Sequence, residues 1–178
     1  MGQAKLENKK NIGILGGTFD PAHIGHITIS KTARKKFNLN KVIWAITKKN
    51  PFKNKSSLSL NDRIKYAKSI NLKNRFIKIG FYEQKIKSNK TVDLIKYFVK
   101  KNKNSNIFFI MGADNLINFH KWKKSNQIAK MCKIIVFDRS GYKRKSLKSP
   151  FFLKYNKKVI NFIKFKKVNI SSSQLRKI

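Results

Sequence analysis

Residues Asn11–Ile27 read NIGILGGTFDPAHIGHI. The apolar run Ile12-Gly13-Ile14-Leu15 leads into Gly16-Gly17, and the polar turn Thr18-Phe19-Asp20-Pro21 follows. His23, Gly25 and His26 then open a segment whose spacing predicts a helix over Ile24–Phe37, with Ile24, Ile27, Ala33 and Phe37 inward and Lys31, Arg34, Lys35 and Lys36 outward. A strand, a glycine turn and a helix start make a junction suited to phosphate. The unpaired N–H groups and positive dipole end of a first helical turn face a bound anion. Glycine lets the backbone approach a ligand without a Cβ in the way. Two imidazoles three residues apart share one face of a helix, so both can bear on one phosphate group. Two helix starts are open. Asp20 caps with Pro21 at the first helical position, or the helix begins near Gly25 with His23 still in the loop. The stretch is neither GxxxxGK[ST] nor GxGxxG.

The chain around this junction has 178 residues, which fits one domain over 1–178 with residues 1–9 as a flexible N-terminal segment. No apolar run reaches the length of a membrane span, and the polar start MGQAKLENKK has no signal-peptide core. Cys132 is the one cysteine, so an internal disulfide and a Cys-rich zinc site are excluded. Its apolar surroundings predict a buried structural thiol. These features fit a cytoplasmic protein. The 43 Lys+Arg against 7 Asp+Glu give a formal charge of +36, which raises the question of a polyanionic partner. The basic residues are spread along the chain, and they are mostly lysine in a sequence also rich in Asn and Ile. That profile follows from A/T-rich codons without selection for binding. A specific nucleic-acid site is therefore not expected, although non-specific binding at low salt is.

Further along, Lys41–Ile46 (KVIWAI) reads as a second strand, ending in the loop Thr47–Lys55, where Pro51 stops regular structure. Ser59 looks like the N-cap of a helix to Ile70, with Asp62 at the third position and Leu60, Ile64, Ala67 and Ile70 inward. Arg75–Gly80 reads as a third strand and Glu83–Lys90 as a loop. Thr91 reads as the N-cap of a helix to Lys101. Asn106–Met111 (NIFFIM) is apolar throughout, as a central parallel strand should be. Asp114 follows it, either as a crevice carboxylate for a ribose hydroxyl or a phosphate-bound metal, or as a helix N-cap. Lys130–Arg139 reads as a fifth strand and Val159–Phe165 as the last, with an unassigned basic loop over 143–158. The alternation implies an α/β fold, doubly wound on a mostly parallel sheet of five to six strands.

Gly16-Gly17-Thr18-Phe19-Asp20-Pro21 followed by His23-x-Gly25-His26 resembles the signature of the HxGH nucleotidyltransferases, whose fold is Rossmann-like. Asn-Pro-Phe-Lys after the second strand, Thr91-Val92-Asp93, GADN with FHKW, Asp-Arg-Ser-Gly-Tyr and the terminal Ile-Ser-Ser-Ser-x-Leu-Arg are similar to elements of bacterial nicotinate-nucleotide adenylyltransferases. The resemblance covers nearly the whole chain. It departs at the end, where only two residues follow Arg176 and the family carries a further helical segment. It implies adenylyl transfer from ATP to nicotinate mononucleotide in NAD biosynthesis, with Mg²⁺ carried on the ATP phosphates. It implies ATP contacts at Gly16, Gly17, Thr18, Phe19, His23, His26, Asp114, Ser172, Ser173 and Arg176, of which His23, His26 and Arg176 serve catalysis. On the acceptor side it implies Asp20, Lys53, Thr91, Trp122 and Arg139, with Trp122 against the pyridine ring. The alternatives are a sister enzyme acting on nicotinamide mononucleotide or phosphopantetheine, and a non-catalytic polyanion binder. A zinc site from His23, His26 and His120 has no recognisable ligand spacing. The sequence specifies no oligomer.

Overall fold

A computed structural model describes residues 9–49, 56–156 and 158–165. Its strands are β1 (Lys10–Gly17), β2 (Lys41–Ile46), β3 (Ile77–Phe81), β4 (Ser105–Gly112), β5 (Lys133–Phe137) and β6 (Ile160–Ile163). They form one six-stranded sheet in the order β3-β2-β1-β4-β5-β6, and every neighbouring pair is parallel. β1 lies between β2 and β4, with Leu15 opposite both Trp44 and Ile110. The chain winds outward from β1 through β2 to β3, then returns to β4 and winds the other way. The point of reversal lies between β1 and β4, and in such sheets ligands bind beyond the carboxyl ends of the strands there.

The central strands are apolar throughout because both faces are covered. Alternate residues of β4 point to opposite sides. Phe108 and Ile110 join Phe19, Ile27, Ala33, Trp44 and Ala67 beneath helices α1 (Ile24–Phe37) and α2 (Leu60–Ser69). Phe109 and Met111 join Val92, Ile95, Phe98, Leu116, Phe119, Ile128 and Phe151 on the other face. That face is covered by α4 (Thr91–Lys101), α5 (Ala113–Ile117), α6 (Ser125–Met131) and α8 (Pro150–Tyr155). Cys132 is buried there, its Sγ 3.4 Å from the Ile128 carbonyl, and burial pushes the thiol up to about 12.

Several expectations are corrected. Gly16 and Gly17 are not a turn, because β1 runs through both and Gly17 O accepts from Thr47 N at 2.9 Å. The Asp20–Pro21 helix start does not occur, since α1 begins at Ile24, which is 48% exposed rather than inward. Thr91 is the first helical residue of α4, not its cap. The carbonyl of Lys90 already accepts from Asp93 N and Leu94 N, and Ser88 Oγ donates to the Asp93 carboxylate. Gly112 rather than Asp114 caps α5. The fifth strand starts at Lys133, because Lys130 and Met131 end α6. Part of the loop after β3 folds as α3 (Glu83–Ile86), and the basic segment after β5 folds as α7 (Lys143–Leu147) and α8. Ser59 does cap α2, accepting from Asp62 N at 3.1 Å.

Candidate functional site

The site is built at the carboxyl ends of β1, β4 and β5. Beyond Gly17, Phe19 takes a positive φ of 48° and turns its ring into the core, where it is 2% exposed. Positive φ is uncommon for an aromatic residue and persists only where the surroundings hold it. Here the ring stacks on Trp44 at 4.9 Å between centroids and lies 4.8 Å from the His26 ring. Trp44 Nε1–H donates to Ser30 Oγ at 2.8 Å, and Ser30 Oγ–H donates to the His26 carbonyl at 2.9 Å. The first turn of α1 is thus seated on a buried aromatic column, and its histidines inherit that rigidity.

His23 is the N-cap of α1, with extended φ and ψ of −154° and 174°. Its Nδ1 accepts from Gly25 N–H at 3.1 Å, while His26 Nδ1 accepts from His23 N–H at 3.2 Å. This is a capping box in which imidazoles replace the usual hydroxyl and carboxamide. The two rings lie 4.0 Å apart. Because both Nδ1 atoms accept, the hydrogen bonds assign the proton of each neutral ring to Nε2. Burial, with the Arg139 charge adding to it, holds His23 down to about 4. His23 is therefore neutral at pH 7 and acts as a donor through Nε2–H.

Asp114, on the first turn of α5, pairs with Arg139 just after β5, Oδ2 to Nη1 at 2.6 Å. The pair spans the ends of β4 and β5 and brings Arg139 within electrostatic reach of His23. Gly16, Gly17, Thr18, His23, His26, Asp114 and Arg139 thus all lie at or just beyond the carboxyl ends of β1, β4 and β5. Thr91 and Trp122 belong to the layer on the opposite face from α1. Trp122 is half-buried against Phe119 and Phe109, with ring centroids 4.9 and 6.3 Å away. Lys53, Ser172, Ser173 and Arg176 lie outside the described residues.

Asp20 is turned inward, 3% exposed, and accepts from Ser57 N at 2.8 Å and Leu58 N at 3.0 Å. Beside it lies Arg63 of α2, which the sequence reading did not single out. Its guanidinium donates to the carbonyls of Thr18, Thr47, Lys48 and Leu58. Glu83 completes the cluster, accepting from Lys48 N at 3.1 Å and from Thr47 Oγ1–H. A signal for Arg63 exists in the sequence. It falls three residues after Leu60 and four before Ala67, on the inward face of a helix, where a charged residue needs a buried partner.

Residues 14–178 match the family model described as cytidylyltransferase-like. A Pelagibacter ubique (strain HTCC1062) protein named "Probable nicotinate-nucleotide adenylyltransferase" is 63% identical over 97% of this chain and 95% of its own length. A Clostridium novyi (strain NT) protein of the same name is 36% identical over 94% of this chain and 86% of its own. Among solved structures, a Plasmodium falciparum nicotinic acid mononucleotide adenylyltransferase complexed with NaAD superposes with a TM-score of 0.72 at 20% identity, covering 94% of this chain and 83% of that one. At that identity the likeness speaks for the fold alone.

Proposed function

The chain belongs to the nicotinate-nucleotide adenylyltransferase family, and we propose that it transfers the adenylyl group of ATP to nicotinate mononucleotide, giving nicotinate adenine dinucleotide and pyrophosphate in NAD biosynthesis. A phosphate oxygen of the mononucleotide attacks the α-phosphorus of ATP, and the bond to the β-phosphate oxygen breaks as pyrophosphate leaves. The nucleophile is already anionic, so no side chain has to activate it. Positioning and charge stabilisation carry the catalysis.

The observation that supports this reading most is the reciprocal cap at His23 and His26. It makes both rings Nε2–H donors at the start of a helix, beside the exposed backbone of Gly16 at the end of the central strand. In this reading the two donors hold the α- and β-phosphates, and Gly16, Gly17, Thr18 and Phe19 offer close backbone. Ser172, Ser173 and Arg176 take the β- and γ-phosphates. Asp114 and Arg139 hold each other at the nucleotide's edge, while Lys53, Thr91 and Trp122 serve the acceptor. Asp20 supports this site through Ser57 and Leu58.

Mg²⁺ on the triphosphate would neutralise charge on the transferring and leaving groups. The donor set fits a cation carried by its nucleotide, since Asp114 is engaged by Arg139 and Asp20 by Ser57 and Leu58. Among the described residues no helix is long and apolar enough to cross a membrane, and a cytoplasmic location suits an ATP-dependent biosynthetic step. The test is pyrophosphate release from ATP and Mg²⁺ with each acceptor in turn. Turnover with nicotinate mononucleotide is expected. Turnover confined to nicotinamide mononucleotide or phosphopantetheine moves the assignment to a sister activity, and no turnover with any acceptor overturns it.

A further inference from the structure

The cluster around Arg63 joins the turn after β1 to the segment after β2. Arg63 is 2% exposed. Nη1 donates to Thr18 O at 2.6 Å and to Thr47 O at 2.9 Å, Nη2 to Lys48 O at 3.2 Å and Nε to Leu58 O at 3.3 Å. Thr18 belongs to the turn after β1. Thr47 and Lys48 begin the segment after β2, and Leu58 stands at the entrance to α2. One side chain therefore ties the turn leading to the histidines to the loop beyond the next strand. Two carboxylates tighten the same junction. Asp20 holds Ser57 and Leu58, and Glu83 holds Thr47 and Lys48. Both also act electrostatically on Arg63, opposing the fall in its pKa that burial causes.

A buried cation normally needs contact with an anion to offset its desolvation. Here Arg63 donates to four backbone carbonyls, and the carboxylates of Asp20 and Glu83 add their charge around them. Such an arrangement uses the planar, many-donor fork of arginine, because an ammonium has three donors at one point and cannot reach four acceptors in this geometry.

We infer that Arg63 is a positioning residue for the transfer, setting the phosphate-binding turn after β1 against Thr47 and Lys48 just beyond β2. The inference rests on the adenylyl-transfer reading above for its kinetic consequence. The His23–His26 cap closes within α1 and does not depend on Arg63. Loss of Arg63 therefore leaves the two histidine donors in place while loosening the turn at Thr18 against the segment after β2, and an error of about 1 Å in the approach of the reacting groups can cost on the order of a hundredfold in rate.

The experiment compares wild type with Arg63→Lys and Glu83→Gln, well below the melting temperature of each variant. It measures kcat, KM for each substrate, and hydrogen exchange at the amide of Thr47, which bonds to Gly17 O. For Arg63→Lys the expected result is a kcat loss of roughly 10- to 100-fold, a raised KM for nicotinate mononucleotide, a KM for ATP within about threefold, and faster exchange at Thr47. Glu83→Gln, which keeps its size and an acceptor, should shift the same quantities in the same direction by a few fold. It decides the matter if Arg63→Lys does not fold. A lowered melting temperature with wild-type kinetics in the folded variant would show a purely structural role and overturn the inference. If wild type turns over no acceptor, the functional reading fails, and Thr47 exchange alone decides the junction. Acceleration in the variants then supports it, and unchanged exchange overturns it.

Discussion

His23 carries two duties, one on each nitrogen of its ring. As N-cap it accepts through Nδ1, which requires that nitrogen to be unprotonated. Burial and the nearby Arg139 charge enforce this, keeping the ring neutral down to about pH 4, against 6.5 for an unburied histidine. Above 6.5 neither the folded nor the unfolded chain carries the proton. As pH falls toward 4 the unfolded chain takes it up first, so stability is lost through that window. His23→Asn retains a capping oxygen and removes the titration. Its urea midpoint should therefore fall less between pH 7 and 4.5 than that of wild type. Equal falls in the two proteins would show that His23 is not held neutral. For catalysis, His26→Ala should reduce kcat by on the order of a hundredfold, the scale of losing one preorganised donor. Near-normal turnover in the folded variant would remove the histidine pair from the mechanism. Both histidines were legible as candidate phosphate ligands because spacing and glycine context are local. Their mutual capping was not, since it depends on two ring orientations set by Phe19 and Trp44. Arg63 was missed because its four acceptors come from three separate segments.

Within β1 the tightest demand on sequence falls at Gly13 rather than at the signature glycines. A Cβ at Gly13 would lie 2.8 Å from Leu39 Cδ1 and 3.0 Å from Ile110 Cδ1, whereas at Gly16 the nearest atom is 3.6 Å away. Leu39 and Ile110 can each move a methyl, but both are buried, which limits how far they yield. Gly13→Ala should destabilise the protein by about 1–2 kcal/mol in chemical denaturation, the lower part of the overpacking range. A neutral result would mean that the two methyls give way freely. Strands β2 and β4 were legible nearly to the residue because buried parallel strands are continuous apolar runs. Helices α1, α2 and α4 were legible from their period. The short helices α7 and α8 were not, since five or six residues are too few to show a period. Phe151, inserted beside Phe119 at 4.6 Å, and the Ser149 cap define α8 instead. Cap positions failed at Thr91 and Asp114 for a related reason. Each lies one or two residues inside a helix whose start is set by the strand or turn before it.

The molecule as a whole carries a formal charge of +36, and its few carboxylates are not scattered at random. Asp20 and Glu83 flank Arg63, Asp62 and Asp93 sit in first turns of helices, and Asp114 pairs with Arg139. Such placement leaves much of the outer surface to lysine, so the far field is positive in most directions. A field of that kind raises the local concentration of a polyanionic substrate without specifying it. Screening over a Debye length of about 10 Å at 0.1 M salt should weaken the effect sharply. Accordingly kcat/KM for ATP should fall on the order of tenfold between about 20 and 300 mM NaCl, as expected for electrostatically assisted encounter. At saturating substrates kcat should change far less, because the reacting groups are held by short-range contacts. A single-stranded RNA competitor should inhibit at the low-salt end and lose its effect at the high-salt end, since its binding would rest on counterion release. RNA binding that survived high salt would instead require a dedicated site, and the lysine excess would then be a selected surface. A flat salt profile for ATP would show that the lysines contribute no steering at all. The two outcomes separate compositional drift with an incidental kinetic benefit from a surface built for a partner.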